Sequence, residues 1–426
     1  MDENIVRAIP TPSHLEWADM EIGVIIHYLI DAYKPEFTEF KTKAVRTELP
    51  PSVFAPEGWD TDQWCRSASE LGAKYAVLVA NHGTGFSLWQ TKVNDYSVAS
   101  CSYKDGKGDI VRDFIESCKK YNLKPGLYYS LGCNGYYGIS DESIRDYKSE
   151  EYQTYIKNVE KQVTELWSEY GELFEIWFDG GVVPKEQGGP DLIPILKKYQ
   201  PNAMCFQGPV GHTHNLRWVG NENGLAPADC FSATDRGECQ IEVPGCGSPF
   251  GKYWEPAETD MPNRDKAAFG GGWNWKAGEE NYVYTPEHLL DCYIRSVGRN
   301  SNLLLGMAIA TNGRFEDEQQ FIDFGRLIDK TFGDGACIAK QQGSADKVQK
   351  ILLPEKRQIN YVVLKEDITR GHGILSFSVE ADGVRLAEGK CVGHKRIIPV
   401  DICAKEICVT LEECYPDAEL TEISLY

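Results

Sequence analysis

Two carboxylates stand where apolar runs of this chain end, and hydrolysis of a glycoside needs two carboxylates about one bond. Asp179 closes the run EIWF and is followed by Gly180 and Gly181, which let a ligand approach the backbone closely. Its alternative role is to cap a following helix. Glu222 closes the run RWVGNE. In such a reaction one carboxylate attacks the anomeric carbon, while the other protonates the leaving oxygen and then activates water. Glu255 and Glu258, in WEPAE, compete with Glu222 for the second role.

Aromatic side chains accompany these acids. All ten tryptophans fall at or before Trp275, and Trp177, Trp218, Trp254, Trp273 and Trp275 lie near the ends of strand-like runs or in the Gly-rich stretch that follows. An aromatic face suits a sugar's apolar CH patches, although each ring could equally be core. His27 ends GVIIHY and His82 follows KYAVLVAN, both placed to hydrogen-bond hydroxyls or to serve structure. His212 and His214 have the spacing of a metal pair, but no third ligand accompanies them, so no metal is expected. Neither a G-x-S-x-G elbow nor a phosphate-binding loop occurs, which disfavours esterase and nucleotide chemistry.

The chain has 426 residues, with 44 Lys and Arg against 64 Asp and Glu, for a formal net charge of −20. That balance disfavours a nucleic-acid partner, because phosphate binding needs clustered basic residues. Hydrophobic residues make up 42% and charged residues 25%, an ordinary globular composition that excludes a disordered chain. No run approaches the ~18–20 apolar residues that span a bilayer, so no membrane segment is expected. The first residues carry acids and no apolar core, so no signal peptide is read there. The fourteen cysteines occur singly with no C-x-x-C pair, which is neither a zinc framework nor a thioredoxin-type motif. Reduced thiols in a cytoplasmic protein are expected.

The elements that must position the acids alternate. Near-continuous apolar runs at residues 23–28, 74–80, 124–130, 173–180, 203–208, 217–222 and 301–307 read as strands buried on both faces. Helical spacing appears at residues 61–71, ending at Gly72, and at 109–121 and 150–170. Strand and helix in alternation over this length predict an α/β fold, and an eight-stranded barrel fits better than an open sheet. Residues 211–275 are irregular and rich in Gly, Pro and Trp. Beyond about residue 335 the texture changes to short alternating runs at 359–364, 374–380, 384–387, 395–400, 406–410 and 420–426, which predict an antiparallel β-sandwich. The expected division is a barrel over residues 1–335 and a sandwich over 336–426.

From about Trp17 to its end the chain resembles the α-L-fucosidases of glycoside hydrolase family 29. The resemblance rests on WADMEIGVIIHY, DQWCRSASELGAKYAVLVANHGTGFSLW, DIVRDFIESCKKYNLKPGLYYS, ELWSEYGELFEIWFDGG and SNLLLGMAIATNGRF, in that order. The tail EDITRGHGILSFSVEA with GHKRIIPV resembles the family's C-terminal β-sandwich. The resemblance implies hydrolysis of α-L-fucosides with retention, through a covalent fucosyl-enzyme, on an imperfect (β/α)8 barrel without metal or other cofactor. It makes Asp179 the nucleophile. RWVGNE is similar to the branch specific for α-1,3/1,4 linkages of Lewis-type glycans, which makes Glu222 the acid/base. Fucose contacts would fall at His27, His82, Trp89, Tyr129 and Trp177, with Arg217, Glu258 and Trp273 meeting fucose or the neighbouring galactose.

Fucose carries a methyl group at C6, for which Trp273 and Phe86 are the expected wall. One departure stands out. Many members carry two adjacent histidines before a D-G-F run, whereas here the order is Asn81, His82, Gly83, Thr84, Gly85, Phe86. The second histidine's hydrogen bond is therefore missing, or falls to Asn81 or a water. The expected partner is a fucosylated oligosaccharide or glycan. The rival readings are a retaining barrel glycosidase for another sugar and a non-catalytic carbohydrate-binding protein.

Overall fold

The computed structural model describes residues 7–36, 48–140, 146–235 and 246–426. The first six residues of the N-terminal stretch read above lie outside them. Helix α1 (Pro12–Met20) opens the fold, with Thr11 accepting from the His14 backbone N–H while the His14 ring takes the Thr11 N–H. Its Trp17 plugs the near end of the barrel, where the indole Nε1 lies 3.0 Å from Glu175 Oε2.

The chain then runs β1 (Ile22–His27), α2 (Thr61–Leu71), β2 (Tyr75–Asn81), α3 (Ile110–Lys120), β3 (Lys124–Ser130), α4 (Glu150–Glu169), β4 (Glu175–Asp179), α5 (Leu192–Tyr199), β5 (Met204–Phe206) and β6 (Asn215–Trp218). A short pair, β7 (Ala233–Thr234) and β8 (Tyr253–Trp254), precedes β9 (Ala257–Met261), α6 (Pro286–Ser296), β10 (Ser301–Ala308) and α7 (Glu318–Phe332). Asp60, Asp109 and Ser149 cap α2, α3 and α4 through their side chains, and Gly72 ends α2 at φ 96° as expected.

Eight parallel strands close into a barrel in the order β1, β10, β9, β6, β5, β4, β3, β2. The barrel is imperfect as expected, since no helix joins β5 to β6. Strands β6 and β9 depart from the sequence-based expectation. The run 217–222 ends as strand at Trp218, which leaves Glu222 in the loop beyond. Strand β9, of sequence AETDM, carries no apolar run, because its inward positions are carboxylates rather than aliphatic residues. Alternate residues face opposite ways along each strand. Ile25, Tyr75, Val77, Val79, Tyr128, Trp177, Phe206, Leu216 and Leu304 fill the interior, while Val24, Leu78, Tyr129, Ile176 and Leu305 pack outward beneath the helices.

Beyond Phe332 follow β11 (Ala339–Gln342), β12 (Val348–Glu366), β13 (Ile374–Ala381), β14 (Val384–Gly389), β15 (Arg396–Cys414) and β16 (Leu420–Leu425). They form one antiparallel sheet in the order β11, β16, β12, β15, β13, β14. The expected runs 395–400 and 406–410 are a single strand, β15. Register shifts interrupt its pairing with β12 between Leu352 and Arg357 and between Ile359 and Tyr361. Such bulges bend a sheet, and residues from both arms, including Ile351, Val409, Leu364 and Leu425, share one core. The sandwich meets the barrel through Phe332, whose ring lies 5.0 Å from Tyr361 and 5.5 Å from Tyr426. No disulfide joins the described cysteines.

Candidate active site

The C-terminal mouth of the barrel is lined by an arc of rings. Trp273 and His27 are 5.1 Å apart between centroids, His27 and His82 6.0 Å, His82 and Tyr128 5.8 Å, Tyr128 and Trp177 5.3 Å, and Trp177 and Phe206 3.8 Å. Strands β1 to β5 supply five of the six rings from their ends or the loop just beyond, as expected for a barrel site. Trp273 arrives from the loop after β9 and lies over Gly306 of β10, where a Cβ would sit 2.9 Å from its ring. Burial, with His82 beside it, lowers the His27 ring to about 3, so it stays neutral.

Asp179 ends β4 at this mouth and is exposed, accepting the Tyr128 hydroxyl at 2.6 Å. Burial first, and the charge of Asp179 second, push the Tyr128 hydroxyl well above the ordinary tyrosine range, which keeps it a donor. Gly180 and Gly181 take φ of 76° and 72°, turning the chain away directly after the carboxylate. Glu222 lies at the same end, in the loop after β6. That loop is strapped to β9 by the Val219 N–H on Glu258 O at 3.3 Å and the Gly224 N–H on Asp260 O at 3.0 Å. Glu222 Oε2 lies 3.8 Å from Lys266 Nζ.

Beneath the arc sits a second pair of acids. Glu258 accepts from Tyr75 Oη at 2.6 Å and from Trp177 Nε1 at 3.0 Å. Burial raises it to about 7 against the pull of those donors. Burial, then the charge of Glu258, push Glu175 well above the usual carboxyl range. Glu258 therefore supports Trp177 from below rather than facing the mouth. On the far side of the arc, buried Asp31 accepts from Asn274 Nδ2 at 2.9 Å, which ties the Trp273 loop to the end of β1. Burial pushes the Asp31 carboxyl up.

The structure thus gathers Asp179, Glu222, His27, His82, Trp177 and Trp273 at one mouth, with Glu258 immediately below. Three expected contacts lie elsewhere. Tyr129 points outward and donates to Gln162 Oε1 of α4 at 2.6 Å, because it follows the inward Tyr128 by one position. Trp89 is buried in the outer layer and donates to Glu165 Oε2 of α4 at 3.0 Å. Arg217 lies between inward Leu216 and Trp218, and its guanidinium donates to Phe231 O at 2.6 Å.

Phe86 also belongs to the outer layer, packed on Phe54 and Tyr96 at 5.1 and 5.3 Å, so it forms no wall of the mouth. Asn81 does not replace the second histidine, since its amide donates to Gly85 O and Ser87 Oγ at 3.0 Å each. Glu255 precedes β9 at the opposite end and accepts from Thr234. His212 and His214 precede β6 at that end too, and no group of three or more metal-ligating side chains occurs among the described residues. Sequence reading missed Tyr128, Phe206, Asp31 and Asp260. Counting by twos from Trp177 and Asp179 along each strand is the signal that finds the strand-borne ones.

A family model described as alpha-L-fucosidase matches residues 9–323. Alpha-L-fucosidase 1 of Arabidopsis thaliana is 28% identical over 447 residues, covering 92% of this chain and 82% of that protein. Among solved structures, one described as a "putative alpha-L-fucosidase" from Bacteroides thetaiotaomicron VPI-5482 superposes with a TM-score of 0.89 at 33% identity, covering 99% of each chain. A glycoside hydrolase 29 family member from a rumen bacterium gives 0.82 at 27% identity, covering 99% of this chain and 78% of that one.

Proposed function

The chain belongs to the α-L-fucosidase family of glycoside hydrolases, and on that footing we propose that it releases α-1,3- and α-1,4-linked fucose from Lewis-type glycans with retention of configuration. The observation that carries the reading is the position of Asp179. It is the outermost inward residue of β4, exposed at a mouth walled by rings and held by the Tyr128 hydroxyl. In the first step an Asp179 oxygen attacks the anomeric carbon while Glu222 gives its proton to the departing glycosidic oxygen. In the second, the Glu222 carboxylate takes a proton from water, and the resulting nucleophile displaces Asp179 from the same carbon. Two inversions give net retention.

The ring arc suits the sugar's apolar edge, and His27 stays neutral within it. Trp273 is the ring of the arc carried by a long loop, which makes it the proposed contact for the C6 methyl group. The similarity of RWVGNE to the linkage-specific branch supports the α-1,3/1,4 preference. Side-by-side digestion of Lewis a, Lewis x and 2′-fucosyllactose tests it, with release from the first two alone as the expected result. Equal release from 2′-fucosyllactose would remove the linkage preference. NMR of the first-formed fucose anomer tests retention, the α-anomer being expected.

A further inference from the structure

Strand β9 carries a third carboxyl to the mouth. Asp260 pairs in register with Leu304, an interior residue of β10, so its side chain faces inward. It lies two positions after Glu258, as Asp179 lies two positions after Trp177, and Glu258 receives the Trp177 indole at 3.0 Å. Asp260 and Asp179 therefore both occupy the outermost inward layer, on opposite sides of the opening. Trp218 Nε1 donates to Asp260 Oδ1 at 2.6 Å, and among the described residues this is the only side-chain hydrogen bond to that carboxyl. The backbone carbonyl of Asp260 anchors the Glu222 loop through Gly224.

We infer that Asp260 is a substrate-binding residue of the fucosidase site, a neutral carboxylic acid whose Oδ2 hydroxyl donates to an oxygen of the bound glycoside. Trp218 occupies Oδ1 as an acceptor, so a proton on this carboxyl resides on Oδ2. An ionised carboxylate offers only acceptors, whereas the protonated acid supplies a donor. The surroundings favour the neutral form. Burial, the largest effect, pushes the Asp260 carboxyl well above the ordinary aspartate range, the Trp218 N–H pulls it back, and Glu222 and Glu258 push it further up whenever they are ionised. The cation at this edge, Lys266, pairs with Glu222 instead. Across the β10 side the neighbour in register is uncharged Leu304. A carboxylic acid held neutral in a catalytic site as a donor has precedent in principle.

The inference rests on the proposed fucoside chemistry, and its test separates the two. Wild type, Asp260→Ala, Asp260→Asn and Asp179→Asn are assayed for kcat and KM across pH with an aryl α-L-fucoside whose leaving group needs no proton. Thermal melting confirms that each variant folds. Asp260→Ala is expected to lower kcat/KM roughly tenfold, chiefly through KM. Asp260→Asn, whose amide accepts from Trp218 and donates where Oδ2 stood, is expected to recover part of that loss. Its alkaline limb should lie at higher pH than the wild type's, because an amide has no proton to lose there. An Asp260→Asn variant as weak as Asp260→Ala, or one with the wild-type alkaline limb, overturns the inference. So does an Asp260→Ala variant with wild-type KM. Turnover by Asp179→Asn would instead overturn the reading of the nucleophile, while the Asp260 comparison would still be judged on its own KM and pH profile.

Discussion

The Tyr128 hydroxyl lies 2.6 Å from Asp179 Oδ2, and sheet register is what brings them together. Tyr128 pairs with Trp177 and Ser130 with Asp179 across β3 and β4. The tyrosine therefore faces inward one layer below the carboxylate and reaches up to it from the adjacent strand. The tilt of strands in a closed barrel makes this diagonal contact available.

Tyr128→Phe removes a hydrogen bond to a charged group, an interaction of about 1.5–3 kcal/mol. If that bond orients Asp179 for attack, kcat/KM falls roughly tenfold to a hundredfold. Tyr129→Phe removes an equally short bond, to Gln162 on the outer face. It should cost about 1 kcal/mol of stability and leave turnover intact. Kinetics and melting curves on both variants check the pair. Equal kinetic damage from the two would show that the face assignment does not govern activity.

That contrast marks where the sequence was legible. The strands were visible because aliphatic runs buried on both faces are near-continuous, and Asp179 was visible because it interrupts one. The same continuity hides the phase: in KPGLYYS nothing but the fold says which tyrosine looks inward. The resemblance points to Tyr129, while the fold turns its neighbour Tyr128 inward. Trp89 and Arg217, which the resemblance places at the sugar, serve the outer layer instead, beneath helix α4 and under the loop at Phe231. Strand β9 was lost outright, since its inward Glu258 and Asp260 remove the apolar signal by which strands are read.

Asp179→Asn tests the proposed nucleophile. Asparagine is nearly isosteric and still accepts from Tyr128, but its amide has no carboxylate to attack the anomeric carbon. Turnover of natural and aryl fucosides should be nearly abolished, while calorimetry should still detect fucose binding in the ring-lined mouth. Loss of binding together with turnover would instead give Asp179 a mainly structural part.

Glu258 ties stability to pH. Its carboxyl rises from an ordinary 4.5 to about 7 through burial, so the folded chain keeps a proton that the unfolded chain releases. Stability therefore falls as pH rises from about 4.5, and the loss levels off above about 7. Over that window the effect is on the order of 3 kcal/mol. Glu258→Gln removes this slope, together with the part of the Glu175 rise that the Glu258 charge causes, which acts in the same direction. Glutamine can accept from only one of Tyr75 and Trp177, which adds an offset that does not vary with pH. His27 acts oppositely, costing stability as pH falls below 6.5, but it is present in both proteins and cancels in the difference. Denaturant unfolding at pH 5 and pH 7.5 checks this: the gap between the two pH values should shrink in the variant, and an unchanged gap would sink the assignment.

Trp273 owes its place to a buried ion pair. Arg264, just after β9, donates to Asp317 through Nε at 2.7 Å and Nη2 at 3.1 Å, and the side chains are 1% and 6% exposed. Asn263 adds a bond to Asp317 at 2.7 Å, and Gln320 of α7 donates to Asn263 O at 2.9 Å. The loop from β9 is thereby clamped to the start of α7 before it swings Trp273 over Gly306 and His27. Arg264→Met leaves the Asp317 charge buried with a single amide donor, a change that costs about 3–5 kcal/mol. It should also raise KM, since the loop loses its anchor. Arg264→Met with Asp317→Leu removes both charges and should recover most of the stability, because an ion pair and an apolar pair of similar volume are close in energy. KM should stay high in the double variant, where the packing is restored but the two-point orientation of the loop is not. Recovery of KM alongside stability would mean that packing alone positions Trp273.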